Sequence, residues 1–210
     1  NCLSPGEKVL AFETGHFATL WKGIALELGL DVMFEQGDWR SAVDPDRLET
    51  ILREDTSANI KAVCIVHNET STAVTSDIGS IRQAMDAANH PALLLVDTIS
   101  SLASLPYHHK EWGVDVTVGG SQKGLMLPPG LGLNIVSNKA REASKSASLP
   151  KAYWNWEAII EANGNGFFPY TPPTNLLYGL AEAQKLLFDE GMTQVYARHA
   201  RYGAATRAAS

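Results

Sequence analysis

One lysine stands alone in a neutral, tightly turned segment of this sequence. The segment GGSQKGLMLPPG spans residues 119–130, and Lys123 is the only charged side chain between Asp115 and Lys139. A lysine attacks a carbonyl group only from its neutral amine, which requires exclusion of water or a second cation nearby. An uncharged loop bounded by glycines and prolines offers such a setting. The segment therefore predicts a reactive lysine, with a solvated surface lysine as the plainer alternative.

Polar side chains follow three apolar runs that are typical of buried strands. Asp97 ends ALLLVD, and two further groups follow AVCIV and VTVGG, namely His67, Glu69, Thr70 and Ser71, and Ser121, Gln122 and Lys123. Ligands of open α/β sheets bind at the carboxyl ends of the strands, so we expect the three loops to open on one edge. We interpret His67 as a partly buried histidine with its hydrogen bonds satisfied and His108-His109 as surface residues. An aspartate such as Asp97 also has plainer uses, capping a turn or holding a metal.

Short apolar runs alternate with amphipathic segments of helical length along the first two thirds of the chain. Strands are predicted at 8–12, 31–36, 62–66, 92–97, 116–120 and 131–136. Helices are predicted at about 17–29, 45–55 and 77–89, and then at 138–147, 151–163, 173–189 and 192–208. Strands that are apolar throughout indicate burial on both faces. The pattern predicts an α/β fold with a mostly parallel sheet covered by helices on both faces.

A lysine and an aspartate at one sheet edge have a specific chemical use together. Pyridoxal 5'-phosphate uses a lysine to hold its aldehyde as a Schiff base and a carboxylate to pair with its protonated pyridine nitrogen. The 26 positions between Asp97 and Lys123 leave room for a connection and one strand. A nucleotide hydrolase that uses Asp97 for a metal is excluded, because no GxxxxGK[ST] loop occurs. The sequence thus favours this cofactor over a metal.

The composition limits the remaining classes of function. The chain has 210 residues, a net charge of −6 and 45% hydrophobic residues, as ordinary globular proteins do. Nothing in this charge predicts binding to nucleic acid or to an anionic membrane, and no apolar run is long enough to span a bilayer. Cys2 and Cys64 have no metal-ligand spacing, and so few cysteines suggest a reducing, cytoplasmic location.

Four motifs in order along the chain resemble a known family. They are ETST (69–72), VDTISSL (96–102), GSQKGLMLPPG (120–130) and FPYTPPTNLLYGL (168–180). Together they resemble the class V aminotransferases of the pyridoxal-phosphate fold type I superfamily, with the closest match to serine–glyoxylate and alanine–glyoxylate aminotransferases. The resemblance extends along essentially the whole chain. It implies that residues 1–210 are the central part of the cofactor-binding large domain, without its N-terminal phosphate-binding segment and without the C-terminal small domain.

The resemblance assigns roles to six residues. Lys123 would bind the aldehyde and shuttle the proton, and Asp97 would pair with the pyridine nitrogen. The other four would contact the cofactor: Thr70 near the ring hydroxyl, Gln122 at the phosphate, Phe17 stacked on the ring, and Thr171 at the phosphate of the neighbouring subunit. These enzymes build each site across a homodimer. Ala73 stands where the family has glycine, so the turn there is expected to avoid a glycine-only conformation.

The implied reaction moves the amino group of serine or alanine to glyoxylate, which gives glycine and hydroxypyruvate or pyruvate. Two alternatives stay open at this point. Another reaction of the same scaffold, such as that of a lyase, desulfurase or epimerase, would use the same lysine. A non-catalytic fragment would only bind the cofactor or associate with a partner.

Overall fold

A single six-stranded sheet organises the computed structural model, which describes residues 1–209. The strand order is β2-β1-β3-β4-β5-β6, and every neighbouring pair is parallel except β5 and β6. The strands are β1 (Lys8–Phe12), β2 (Asp31–Glu35), β3 (Ile60–Val66), β4 (Leu93–Asp97), β5 (Val116–Gly120) and β6 (Gly132–Val136). The predicted α/β class and the mostly parallel sheet are confirmed.

Residues 1–209 also form seven α-helices. They are α1 (His16–Glu27), α2 (Pro45–Glu54), α3 (Ile78–Ala87), α4 (Asn138–Ser146), α5 (Trp156–Gly164), α6 (Thr174–Glu190) and α7 (Met192–Ala209). The helix predicted at 151–163 begins only at Trp156, because Asn155 is extended and its side chain caps α5 by accepting from the Glu157 N–H. Residues 152–154 form a separate 3₁₀ turn. Within residues 1–209, no helix combines the length and apolarity needed to cross a membrane.

Alternate side chains of each strand pack into two different cores. In β4, Leu94 and Val96 lie in the core that α2 and α3 cover, whereas Leu93 and Leu95 lie in the core that α1 and α4 cover. This alternation follows from the two-residue period of a strand. Full burial of each such side chain contributes about 1.5–3 kcal/mol. The helices therefore cover both faces of the sheet, as the apolar strands predict.

The strand order reverses direction next to β1. The chain places β2 on one side of β1 and then crosses to place β3 on the other side, after which β4 and β5 continue outward. At such a reversal the connections leave the sheet towards opposite faces, which opens a crevice at the carboxyl ends of the two strands. The segment that starts α1 and the loop after β3 flank this crevice.

Ala73 lies in the turn after β3 and takes a conformation that favours glycine. Its φ is 60°, in the left-handed region. An alanine enters this region at a cost of about 1–2 kcal/mol. The expectation that the turn avoids a glycine conformation is therefore wrong. The Ala73 N–H donates to the Glu69 carbonyl at 2.8 Å. This hydrogen bond holds the turn in place and offsets the cost of the left-handed conformation.

His67 is a buried histidine at the end of β3. The residue is 4% exposed, and its Nδ1 lies 2.9 Å from the Ser101 hydroxyl. The rings of Tyr107 and Trp112 pack around it. Burial lowers the pKa of His67 to about 4, although the charge of Asp77 acts in the opposite direction. The predicted hydrogen bonding of His67 is confirmed, and the residue is more deeply buried than the predicted partial burial.

The two adjacent histidines differ from each other. His108 is exposed, as expected of a surface residue. His109 is half-buried, and its Nδ1 lies 2.7 Å from the Thr117 hydroxyl. The interpretation of the pair as surface residues is therefore wrong for His109, because the segment folds back over β5.

We expect His67 to make the protein sensitive to acid. The folded state keeps His67 neutral down to about pH 4, whereas an unfolded chain protonates it near its ordinary pKa of 6.5. The contribution of His67 is complete above pH 6.5 and is lost as the pH falls towards 4, by up to about 3 kcal/mol. Denaturant unfolding at pH 7 and pH 4.5 measures this change. His67→Gln should lose less free energy of unfolding on acidification than the control His108→Gln. Equal losses in both variants would contradict the expectation.

Candidate active site

The ends of three neighbouring strands meet at one edge of the sheet. Asp97, the last residue of β4, lies beside Val66 of β3 and Val118 of β5. The His67 N–H donates to the Asp97 carbonyl at 2.9 Å, and the Thr98 N–H donates to the Val118 carbonyl at 2.8 Å. These bonds extend the hydrogen-bond pattern of the sheet into the first residues of the loops after β3 and β4. The predicted convergence at one edge is confirmed.

Ser121 holds the loop that carries Lys123. The Ser121 side chain is fully buried, and its Oγ donates to the Pro128 carbonyl at 2.7 Å and accepts from the Leu131 N–H at 3.2 Å. The Met126 N–H donates to the Lys123 carbonyl at 2.9 Å and closes the turn. Because both ends of the loop are tied to one hydroxyl, the lysine backbone has a defined position.

Gly124 lets this loop pack against the segment that follows Asp97. A Cβ atom at position 124 would lie 2.2 Å from the Leu102 carbonyl oxygen and 2.6 Å from the Ser104 Oγ. No side chain fits at these distances. The glycine that follows the lysine is therefore required by a close backbone approach, and it links the lysine loop to the aspartate loop.

The side chain of Lys123 is exposed. Its Nζ forms no hydrogen bond or ion pair with residues 1–209. Leu125 of the same loop is buried with Leu187 and Val195 of α6 and α7, whereas Met126 is exposed. The desolvated surroundings predicted for Lys123 are therefore not provided by this chain alone.

Asp97 is half-buried, and one of its two carboxylate oxygens accepts a hydrogen bond from the chain. Its Oδ1 accepts from the Ile99 N–H at 2.8 Å. Burial raises the pKa of Asp97, the Ile99 hydrogen bond lowers it, and the charge of Glu69 raises it further. Within residues 1–209, no cationic side chain lies within 4 Å of this carboxylate. The site thus holds a carboxylate that a cationic partner would stabilise.

Three further predicted residues lie on exposed positions of the same edge. Thr70 is exposed in the turn after β3, and Gln122 is exposed directly before Lys123. Phe17 lies in the first turn of α1 and is 40% exposed. Its N–H donates to Glu69 of the β3 loop at 3.3 Å, which places this turn beside Thr70. The structure therefore brings Phe17 and Thr70 together at the crevice.

Thr171, the sixth predicted site residue, lies on a different loop from the other five. It is exposed in the loop between α5 and α6, and no hydrogen bond within residues 1–209 joins it to the others. The ring of Tyr170, its neighbour, packs on Tyr153 at 4.7 Å between centroids. Its role at a neighbouring subunit stays a prediction.

Two residues that hold this site together have no role in the sequence prediction. They are Ser121, described above, and Glu69, which is fully buried between the β3 loop and α1. The only sequence signal for each is its place directly after a buried strand. Their partners are mostly backbone N–H and carbonyl groups, which leave no trace in the order of side chains.

The chain is similar to curated enzymes of about twice its length. It is 51% identical to the serine–glyoxylate aminotransferase of Methylorubrum extorquens in an alignment of 214 positions, which covers 100% of this chain and 53% of that enzyme. It is 45% identical to the L-aspartate–glyoxylate aminotransferase of Paracoccus denitrificans, of which it covers 53%. The chain thus spans about half the length of the curated relatives that it matches.

Solved structures and a family description agree with these similarities. The alanine–glyoxylate aminotransferase of a Nostoc species superimposes with a TM-score of 0.86 at 29% identity, over 94% of this chain and 52% of that one. An aspartate aminotransferase of Thermus thermophilus gives a TM-score of 0.83 at 28% identity, over 94% and 53% respectively. The family described as Aminotransferase class-V matches residues 1–208. The chain therefore belongs to the class V aminotransferase family.

Proposed function

We propose that this chain carries the cofactor site of an aminotransferase that moves the amino group of a small L-amino acid to glyoxylate. The products would be glycine and a 2-oxo acid, hydroxypyruvate from serine or pyruvate from alanine. The observation that carries the proposal is the placement of Asp97 at the end of β4 and of Lys123 on the loop that follows the adjacent strand β5. Glyoxylate is common to the names of the serine and aspartate enzymes that the chain resembles.

The residues of this edge fit pyridoxal 5'-phosphate, the cofactor of class V aminotransferases. Asp97 is a half-buried carboxylate without a cation, and the protonated pyridine nitrogen would supply that cation. When it is bound, the cofactor withdraws electrons from the substrate Cα as its proton leaves. An acceptor that is already oriented by the Ile99 N–H needs little rearrangement to pair with the ring.

The other residues would bind and orient the group. Lys123 would supply the amine that binds the aldehyde and would then take and return the Cα proton. Its fixed backbone and flexible stem suit both tasks. Gln122 would reach the phosphate, Thr70 the ring hydroxyl, and the exposed ring of Phe17 would cover the pyridine ring.

A desulfurase reaction has no support in these residues. Such an enzyme needs a reactive thiolate, and both cysteines of the chain are poorly suited to supply one. Cys64 lies within β3, and burial raises its pKa to about 12. Cys2 is buried, and burial raises its pKa as well. An amino-group transfer needs neither cysteine.

We also propose that the site is completed by a second copy of this chain. Phe17, Leu20 and Ile24 form an exposed apolar stripe along α1, which starts at the crevice. Phe167 and Phe168 are also exposed in the loop that carries Thr171. Exposed apolar surfaces of this kind mark protein interfaces. Residues 1–210 would then be the central part of a large domain whose site borrows Thr171 from its partner.

Borohydride reduction tests the role of Lys123. It should fix pyridoxal 5'-phosphate covalently on Lys123, because it reduces the double bond between an amine and an aldehyde. Peptide mass mapping of the protein as its gene encodes it locates the adduct. Lys139→Arg should keep the adduct and Lys123→Arg should lose it. An adduct on another lysine, or none with excess cofactor, would refute the proposal.

Substitution of Asp97 tests the ring-pairing role. Asp97→Asn should retain some cofactor, but the rate of Cα-proton exchange should fall by about 100-fold or more, because a neutral amide no longer keeps the ring cationic. Without cofactor, the same variant should melt a few degrees higher at neutral pH, since burial raises the pKa of Asp97 and an ionised carboxylate is therefore unfavourable there. Deuterium exchange of the amino acid Cα and thermal melts measure both effects. Asp31→Asn is the surface control, and full exchange activity in Asp97→Asn would rule out the role.

Mixing of two inactive variants tests whether the sites are shared. Lys123→Ala and Thr171→Asp should each abolish activity, the second by placing a carboxylate at the phosphate. After denaturation and refolding together, half of the dimers are mixed and contain one intact site, so about a quarter of the activity should return. Activity of the 1:1 mixture is compared with each variant refolded alone. Absence of recovery, with dimers present by light scattering, would count against a shared site.

A further inference from the structure

Glu69 is a fully buried carboxylate that contacts two site-bearing segments at once. On one side, its two oxygens accept from the N–H groups of Phe17 at 3.3 Å and Ala18 at 3.1 Å. On the other side, Oε1 accepts from the N–H of Ser71 at 3.1 Å and from its hydroxyl at 2.8 Å. The first pair belongs to α1, and the second belongs to the turn that carries Thr70. Glu69 itself is 0% exposed.

Helix α1 has no cap of its own, so this contact supplies it. Gly15 stands at the N-cap position without a side chain, and no acidic residue lies in the first turn. A Cβ at Gly15 would lie 2.5 Å from Glu69 Cγ and 2.6 Å from Ser71 Oγ. The Ser71 hydroxyl also accepts from the His16 N–H at 3.0 Å. The missing side chain at Gly15 is what allows the carboxylate of Glu69, 51 positions after Ala18, to reach the helix end.

Local donors explain how a buried carboxylate can stay ionised here. Burial acts to raise the pKa of Glu69, but the hydrogen bonds from Ser71, Ala18 and Phe17 lower it below its usual value. The N-terminus of a helix also favours negative charge. No cationic side chain within residues 1–209 forms an ion pair with it. The charge of Glu69 is therefore matched by the two segments that it joins.

We propose that Glu69 is a positioning residue, which sets the first turn of α1 and the β3 loop at a fixed separation so that Phe17 and Thr70 are preorganised around the cofactor ring. This inference rests on the proposed function, because both residues act through the cofactor. A site held within a fraction of an ångström needs such support behind the contacting groups. Glu69 touches neither cofactor nor substrate in this role.

The contact pattern distinguishes this role from ordinary capping. A cap from α1 itself would hold the helix but would add no bond to the β3 loop, and only the hydroxyls of Ser71 and Thr72 would then join the described residues of the two segments. Glu69 bonds the N–H of Phe17 itself and the residue next to Thr70, so displacement of either segment breaks bonds to the other. Loss of the charge should therefore disturb how the ring sits, and not only how stable the helix is.

Glu69→Gln tests the inference, because the side chain keeps its size while its NH₂ group cannot accept from N–H donors. The probe is pyridoxal 5'-phosphate alone, titrated into the protein as its gene encodes it. The apparent Kd should rise by about 10-fold or more, and the circular dichroism of the bound cofactor should change, since that signal reports ring orientation. Glu157→Gln is the matched control, because Glu157 is half-buried and, within residues 1–209, its side chain bonds Arg141 and its N–H bonds the cap residue Asn155, far from the Glu69 contacts.

The outcomes separate this inference from the proposed function. If wild-type protein takes up no cofactor, the proposed function fails and the inference fails with it. If wild type and Glu69→Gln share the same Kd and dichroism, the inference alone is overturned, whatever the change in melting temperature. If Glu69→Gln does not fold, Ser71→Ala replaces it, since it removes the hydroxyl that links Glu69 to His16. It should shift Kd and dichroism in the same direction by a smaller amount, and wild-type values would overturn the inference.

Discussion

Parallel pairing of β4 with both of its neighbours is the constraint on which the site depends. Parallel strands end at the same edge of a sheet, so the loops after β3, β4 and β5 meet at that edge. The register then places Asp97 beside Val66 and Val118, one strand away from the loop of Lys123. Backbone hydrogen bonds set this geometry, and the side chains of the loops only make use of it.

The crevice beside β1 needs more than the sheet. Two segments approach each other there, and the first turn of α1 presents the N–H groups of Phe17 and Ala18 to the β3 loop. The carboxylate of Glu69 provides the opposite charge, and Gly15 provides the space. A buried charge is costly when it is unmatched. Here the four donors around it make the carboxylate the most favourable occupant of that gap.

The sequence predicted the sheet well because the strand signal is local and strong. The run at 92–97 matches Leu93–Asp97, since five apolar residues buried on both faces allow little else. The helix at 151–163 was predicted too long, because the capping of Asn155 against Glu157 outweighs the helical pattern around it. The exposure of Lys123 could not be predicted from its neutral neighbours, because the direction of Leu125 is set by α6 and α7. The partners of Glu69 on α1 lie 51 and 52 positions away and are backbone groups, so no motif marks them.

The one antiparallel strand affects how the site is assembled. Strand β6 returns beside β5, and Gly120 pairs with Gly132, so the lysine loop is the closed end of a hairpin. The hydrogen bonds within the turn join residues close in sequence, and short loops close at a low entropic cost. The position of Asp97 instead depends on pairing with β3 and β5, whose residues lie farther away along the chain. We therefore expect the turn that carries Lys123 to close earlier in folding than the strand pairings that position Asp97.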